Sequence, residues 1–193
     1  SAISASMLLF SACTDAPDSD NATTTEAVAV DTAASGTGWK VDSATSKVEW
    51  IATKVSAYHT GTVPVKSGEL QVKDGAVTGG SFVLDIANLA VVGPKPDTGM
   101  NNKLLGHLKS PDFFDVATYP EATFVITSVA PFTGAVKDSA DPRQESISKY
   151  KVPNPSHTIS GNLTIKGVTK NIEFPALVTI NGDAVDAIAK FNI

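Results

Sequence analysis

Few residues in this chain are of a type that does chemistry. Its three histidines are His59, His107 and His157, and an imidazole can act as general base or metal ligand near neutral pH. No two of them stand at a ligand spacing such as H-x-x-x-H, and the single cysteine, Cys13, adds no ligand pair, so no metal site is expected. Asp112 and Asp115 are a pair of carboxylates of the kind general acid–base catalysis uses. They sit in Ser110-Pro111-Asp112, where Ser110 reads as an N-cap and Pro111 as the first position of a helical turn, so capping and solvent exposure explain them better. No G-x-S-x-G elbow is present for a serine nucleophile. Tyr58 and His59, with Lys54 before them, remain. They stand at the end of one strand, where convergent polar groups could meet the head of a bound molecule. A solvated strand end accounts for them slightly better.

The other chemically distinctive stretch is apolar. HLKSPDFFDVATYPEATF, residues 107–124, holds four aromatic rings, although aromatics are 7% of the chain. Pro120 restricts Tyr119 to an extended conformation and so launches a strand that carries Phe124. The turn before it would bring Phe113 and Phe114 to one mouth of whatever the strands enclose, as wall or as plain core.

The elements that must position these residues are strands. From Trp39 onward the apolar period is two. Val48, Trp50 and Ala52 share a face in 46–54. In 61–73, Val63 and Val65 are odd but Leu70 and Val72 are even, which requires a bulge, expected at Gly68. Phe82, Leu84 and Ile86 align in 76–86. Ala122, Phe124 and Ile126 align next, then Ile159, Gly161, Leu163 and Ile165. Ile172, Phe174, Val178 and Ile180 lead into Asn181-Gly182, a hairpin signal, and Val185 to Ile193 follow. Met100, Leu104, Leu105 and Leu108 are spaced for one short helix near 100–109. Residues 131–156 carry four prolines and few apolar side chains, and read as a long excursion. The fold class is all-β: seven long antiparallel strands that curl towards closure. An eighth strand beyond Ile193 is expected to complete the barrel, since an open edge is a liability.

Residues 1–13 read as the remnant of a secretory signal. An apolar run closes in Ser11-Ala12-Cys13, which resembles a bacterial lipobox with Cys13 as the lipidated residue. Residues 14–38 are rich in Thr, Ala, Asp and Gly, lack aromatics, and read as a flexible acidic linker. Residues 39–193 form the domain. The linker carries five acids and no base, hence the whole net charge of −5, while the domain balances fifteen acids against fifteen bases. With Arg143 as its one arginine and no basic patch, the chain is not expected to bind nucleic acid.

Three blocks then carry a resemblance. Ser46-x-Val48-x-Trp50 with His59 and Gly61, the run His107 to Pro120, and GNLTIKGVTK at 161–170 together resemble the YceI-like family of lipid- or polyisoprenoid-binding bacterial proteins, over residues 39–193. The resemblance implies a lipocalin-like eight-stranded antiparallel barrel, its last strand missing from this chain. It also implies a lumen holding an isoprenoid or related lipid as ligand, with no cofactor required. Family members commonly form dimers, though no residue here requires a homodimer. The lumen wall is expected from Val48, Trp50, Ala52, Phe82, Leu84, Leu104, Leu108, Phe113, Phe114, Phe124, Ile126, Leu163 and Ile165, with Lys54, Tyr58 and His59 at the head group. Each five-carbon unit buried contributes roughly 3–4 kcal/mol gross, at about 0.8 kcal/mol per CH₂, so no charged clamp is needed. The expected function is non-enzymatic binding, transport or storage of such a lipid in the bacterial cell envelope, tethered through Cys13 to the outer membrane. The alternative is a structural or adhesive envelope module whose barrel is filled by its own side chains. A lipid hydrolase or isomerase would have to use Tyr58 and His59.

Overall fold

A computed structural model of the chain describes residues 20–30, 36–54, 57–93, 99–135, 152 and 154–192. Its strands are β1 (Asp20–Asn21), β2 (Thr23–Glu26), β3 (Thr37–Lys40), β4 (Lys47–Lys54), β5 (Ala57–Lys73), β6 (Ala76–Asp85), β7 (Ala90–Gly93), β8 (Glu121–Pro131), β9 (His157–Ile165), β10 (Val168–Asn181), β11 (Ala184–Ala189) and β12 (Phe191–Asn192). One α-helix, α1 (Gly99–Lys109), lies between β7 and β8. The seven strands and the helix read from periodicity all form, because each presents one apolar face to bury.

The main sheet runs in the order β11-β10-β9-β8-β6-β5-β3. All its ladders are antiparallel, and only the short β1–β12 pair is parallel. β5 is long enough to carry two partners on each edge. Its first half pairs with β4 and β7, its second with β3 and β6. β10 likewise takes β11 along 176–181 and β2 along 170–173, opposite β9. Among the described residues no ladder joins the β3/β4 flank to the β2/β11 flank, so the sheet falls short of closing, as expected.

Several local features differ from the sequence reading. The parity change in β5 occurs between Val65 and Ser67, where Lys66 is the extra residue, not at Gly68. Lys66 turns outward and pairs with Glu121 on β8 at 2.5 Å. The hydrogen bond and charge of Glu121 hold the Lys66 ammonium above its ordinary pKa. A second irregularity, between Gln71 and Val72, leaves Thr78 as the extra residue of β6. Short β7 has only four residues, too few for an alternating pattern to announce it. Residues 20–26 lie in the span read as a flexible linker, yet they pair with β12 and β10. Hydrogen bonding to exposed sheet edges orders them, with Ala22 alone packing on the core.

The 131–156 excursion is closed at its base, where the Phe132 amide donates to the Ser156 carbonyl at 3.0 Å. The tip, residues 136–151, lies outside the described residues, as do Cys13 and the signal and linker spans before residue 20.

Candidate ligand-binding interior

The inner face of the sheet carries two apolar clusters. In the first, Ile126, Ile159, Ile172, Phe174 and Ala176 are buried, with Leu70, Phe82, Phe124, Leu163 and Phe191 packed against them. Its spine is a row of phenylalanines. Phe82 and Phe124 have ring centroids 6.3 Å apart, Phe124 and Phe174 5.8 Å, and Phe174 stacks on Phe191 at 4.1 Å and 14°. The row crosses β9 because Gly161 offers no side chain there. A Cβ on Gly161 would lie 2.3 Å from Cζ of Phe124. The rings of β8 and β10 therefore meet above the strand between them.

The second cluster lies at the other end, beneath the helix. Val63, Ile86, Leu89 and Ala122 are buried, with Trp50, Leu84, Leu105, Leu108, Phe114, Val116 and Ile165 packed on them. Trp50 lies flat over Gly61, whose Cβ would come 2.3 Å from the indole. α1 contributes through Leu105 and Leu108, one face of its last turns. Leu104 is half-buried beside them.

The turn after α1 aims these rings, though not as expected. Ser110 donates its hydroxyl to the His107 carbonyl at 2.7 Å, so it closes α1 and does not N-cap a new turn. Its own carbonyl accepts the amides of Phe113 and Asp115. Asp115 takes φ 48°, a conformation aspartate tolerates. The backbone reversal sends Phe114 inward and Phe113 outward. Phe113 is 47% exposed, edge-on to Phe114 at 4.7 Å and 77°.

Of the expected wall, Trp50, Phe82, Leu84, Leu108, Phe114, Phe124, Ile126, Leu163 and Ile165 lie in the two clusters. Val48, Ala52, Leu104 and Phe113 do not. Val48 is 39% exposed and Ala52 is exposed, although both share the face of Trp50. Among the described residues β4 pairs with β5 alone, so no described strand flanks these small side chains on the other edge. Reading face from parity cannot reveal an edge. Phe174, Phe191, Ile159, Ile172, Val63 and Leu105 complete the interior but were left out of the expected wall. For Phe174 and Ile172 the alternation was visible in β10.

The head-group candidates divide. Lys54 ends β4, and its side chain lies outside the described residues. Tyr58 is half-buried. His59 pairs with Ala52, two residues from the Gly61–Trp50 pair, and so shares the inner face with Val63. Its Nδ1 is buried and has no hydrogen-bond partner among the described residues. His107 is on α1 with its ring 6.1 Å from Phe113, and the His157 Nδ1 is 2.8 Å from the Ser156 hydroxyl. Among the described residues no three His, Cys, Asp or Glu side chains gather as metal ligands.

Comparison with known proteins places this geometry. A family model described as YceI-like domain matches residues 39–193. A UPF0312 protein of Pseudomonas syringae pv. tomato is 38% identical over 80 residues, which are 42% of this chain and 30% of that protein. A UPF0312 protein of Pseudomonas putida is 36% identical over 80 residues with the same coverage. The match thus spans about a third of the length of these relatives. The crystal structure of Burkholderia cenocepacia BcnA superposes with a TM-score of 0.54 at 24% identity, over 77% of each chain. That likeness shows a shared fold, a lipocalin-like antiparallel barrel that in this chain is not closed.

Proposed function

The chain belongs to the YceI-like family, and we propose that it binds a long apolar lipid, a polyisoprenoid or isoprenoid quinone, at the helix-capped end of its sheet and does no chemistry on it. The family is associated with binding lipid or polyisoprenoid. The observation that carries the placement is the buried, unpartnered Nδ1 of His59 on the inner face beside Trp50 and Val63. A buried polar atom left without a partner costs about 1–3 kcal/mol. A carbonyl, hydroxyl or phosphate head seated there would remove that cost. The chain behind it would lie along Trp50, Leu84, Leu105, Leu108 and Phe114.

Lipidation at Cys13, attachment to the outer membrane of a bacterial envelope, and a role in carrying or storing lipid belong to the same proposal. A homodimer is compatible with it and not required by it. The phenylalanine row favours a second reading, a structural or adhesive module, because rings from β6, β8, β10 and β12 already fill that end.

Isolating the full chain from cell membranes in mild detergent, then extracting it for lipid mass spectrometry, separates the two. The proposal expects an isoprenoid lipid near one per chain, reduced when Leu108 is replaced by aspartate. Lipid-free protein from membranes rich in such lipids supports the filled module instead.

A further inference from the structure

Asn162 points away from the lipid-facing interior yet is only 8% exposed. On β9, Ile159, Gly161, Leu163 and Ile165 turn inward, so Ser160, Asn162 and Thr164 turn out. Outward polar residues of an alternating strand normally meet water. Here a segment of the chain lies over them. The Val28 amide donates to Oδ1 of Asn162 at 3.0 Å, and Nδ2 of Asn162 donates to the Val28 carbonyl at 2.7 Å. One carboxamide thus takes both main-chain groups of one residue, the pattern that two paired residues exchange in an antiparallel ladder.

The carboxamide is itself held. Nδ2 of Asn171, from buried Asn171 on β10, donates to Oδ1 of Asn162 at 3.2 Å and to the Thr127 hydroxyl on β8 at 3.0 Å. Next to this clamp, β2 adds to the β10 edge in register, Thr23 opposite Glu173 through Glu26 opposite Lys170. Glu26 forms an ion pair with Lys170. The Ala22 amide donates to the Asn192 carbonyl at 2.8 Å. The Val28 side chain is 49% exposed, so the site reads its peptide unit and not its side chain.

We propose that the outer face of β9 and β10 is a binding site for one extended peptide, read through its main chain by the β10 edge and the Asn162–Asn171–Thr127 clamp, and that its occupant is residues 21–30 of the same chain. Added strands gain affinity from main-chain hydrogen bonds in this way. The docked segment covers an edge that would otherwise be open to a foreign strand. It also fixes residues 21–30 against the domain.

Hydrogen exchange on the full chain tests this, read over residues 21–30. The expected result is exchange at least about tenfold slower than in a synthetic peptide of residues 20–30, unchanged on dilution. Asn162→Ala should bring this segment to the free-peptide rate. Val28→Pro, which removes the donor from an exposed residue and leaves the core alone, should do the same while residues 157–165 stay protected. Free-peptide exchange in the unaltered chain, or full protection in Val28→Pro, would overturn the proposal. Protection that fades on dilution would overturn the same-chain occupant, since the strand would then come from a second copy.

Discussion

The two ends of the inner face are built from the same residue classes and are arranged for different ends. At the phenylalanine end, four rings from four strands touch in a row, and the buried Ile126, Ile159 and Ile172 leave each ring with side chains on several sides. At the helix-capped end, Trp50, Leu105, Leu108 and Phe114 are partly buried, as Phe82, Phe124 and Phe191 are at the first, but here a buried histidine nitrogen has no hydrogen-bond partner among the described residues. The first end joins its rings to one another over buried isoleucines. The second has a buried polar atom without a hydrogen-bond partner among the described residues, and apolar walls supplied by a helix and a turn, elements that can shift more easily than a laddered strand. One sheet can thus be core at one end and receptor at the other.

Truncation sharpens this contrast most. Phe124→Ala should cost about 3–5 kcal/mol in denaturant unfolding, because it removes the middle of the ring row. Phe113→Ala should stay within about 0.5 kcal/mol, since its ring is largely exposed. Equal costs would break the distinction between a filled end and an open turn. Gly161→Ala should cost roughly 1–3 kcal/mol, because the new methyl would lie 2.3 Å from the Phe124 ring and 2.9 Å from the Val125 carbonyl. A neutral result would mean that the ring row is looser than its distances imply.

His59→Leu carries the comparison to the other end. Removing an unsatisfied buried nitrogen should leave stability unchanged or raise it by about 1 kcal/mol. The same change should lower the fraction of bound lipid that carries a polar head, measured by mass spectrometry of extracts. A large loss of stability would show that Nδ1 has a structural partner. The smallest effect belongs to Lys66, which turns away from the interior. Its raised pKa means that the Lys66–Glu121 pair adds stability while the lysine is charged. That contribution is complete below pH 10.5 and lost as pH climbs through the raised value. Both groups are exposed and screened by water, so the loss should be small, and Glu121→Gln should abolish it.

Strand and helix positions were legible because alternation and helical spacing follow directly from which face must be buried. Phe82, Phe124, Leu163 and Ile165 were placed on the inner face by that rule. Whatever depends on neighbours distant in sequence was not legible. Val48 and Ala52 share Trp50's parity but stand on an edge strand. Phe113 and Phe114 look equivalent until the Asp115 turn splits them. Lys66 takes the bulge that Gly68 seemed suited for, because its long side chain can reach Glu121 from the kink. Residues 20–30 have the composition of a linker, and it is β12, the β10 edge and Asn162 that give them a conformation. His59 was singled out as a head-group contact from its place at a strand end, but its lack of a partner is a property of packing alone.

Photolabelling with a diazirine-bearing polyprenol, followed by peptide mapping of the full chain, tests the central claim most directly. Labels should fall on Trp50, Leu105, Leu108 and Phe114, around His59, and spare the phenylalanine row. Labelling centred on Phe82, Phe124 and Phe174, or none above that of a protein with no lipid site, would contradict it.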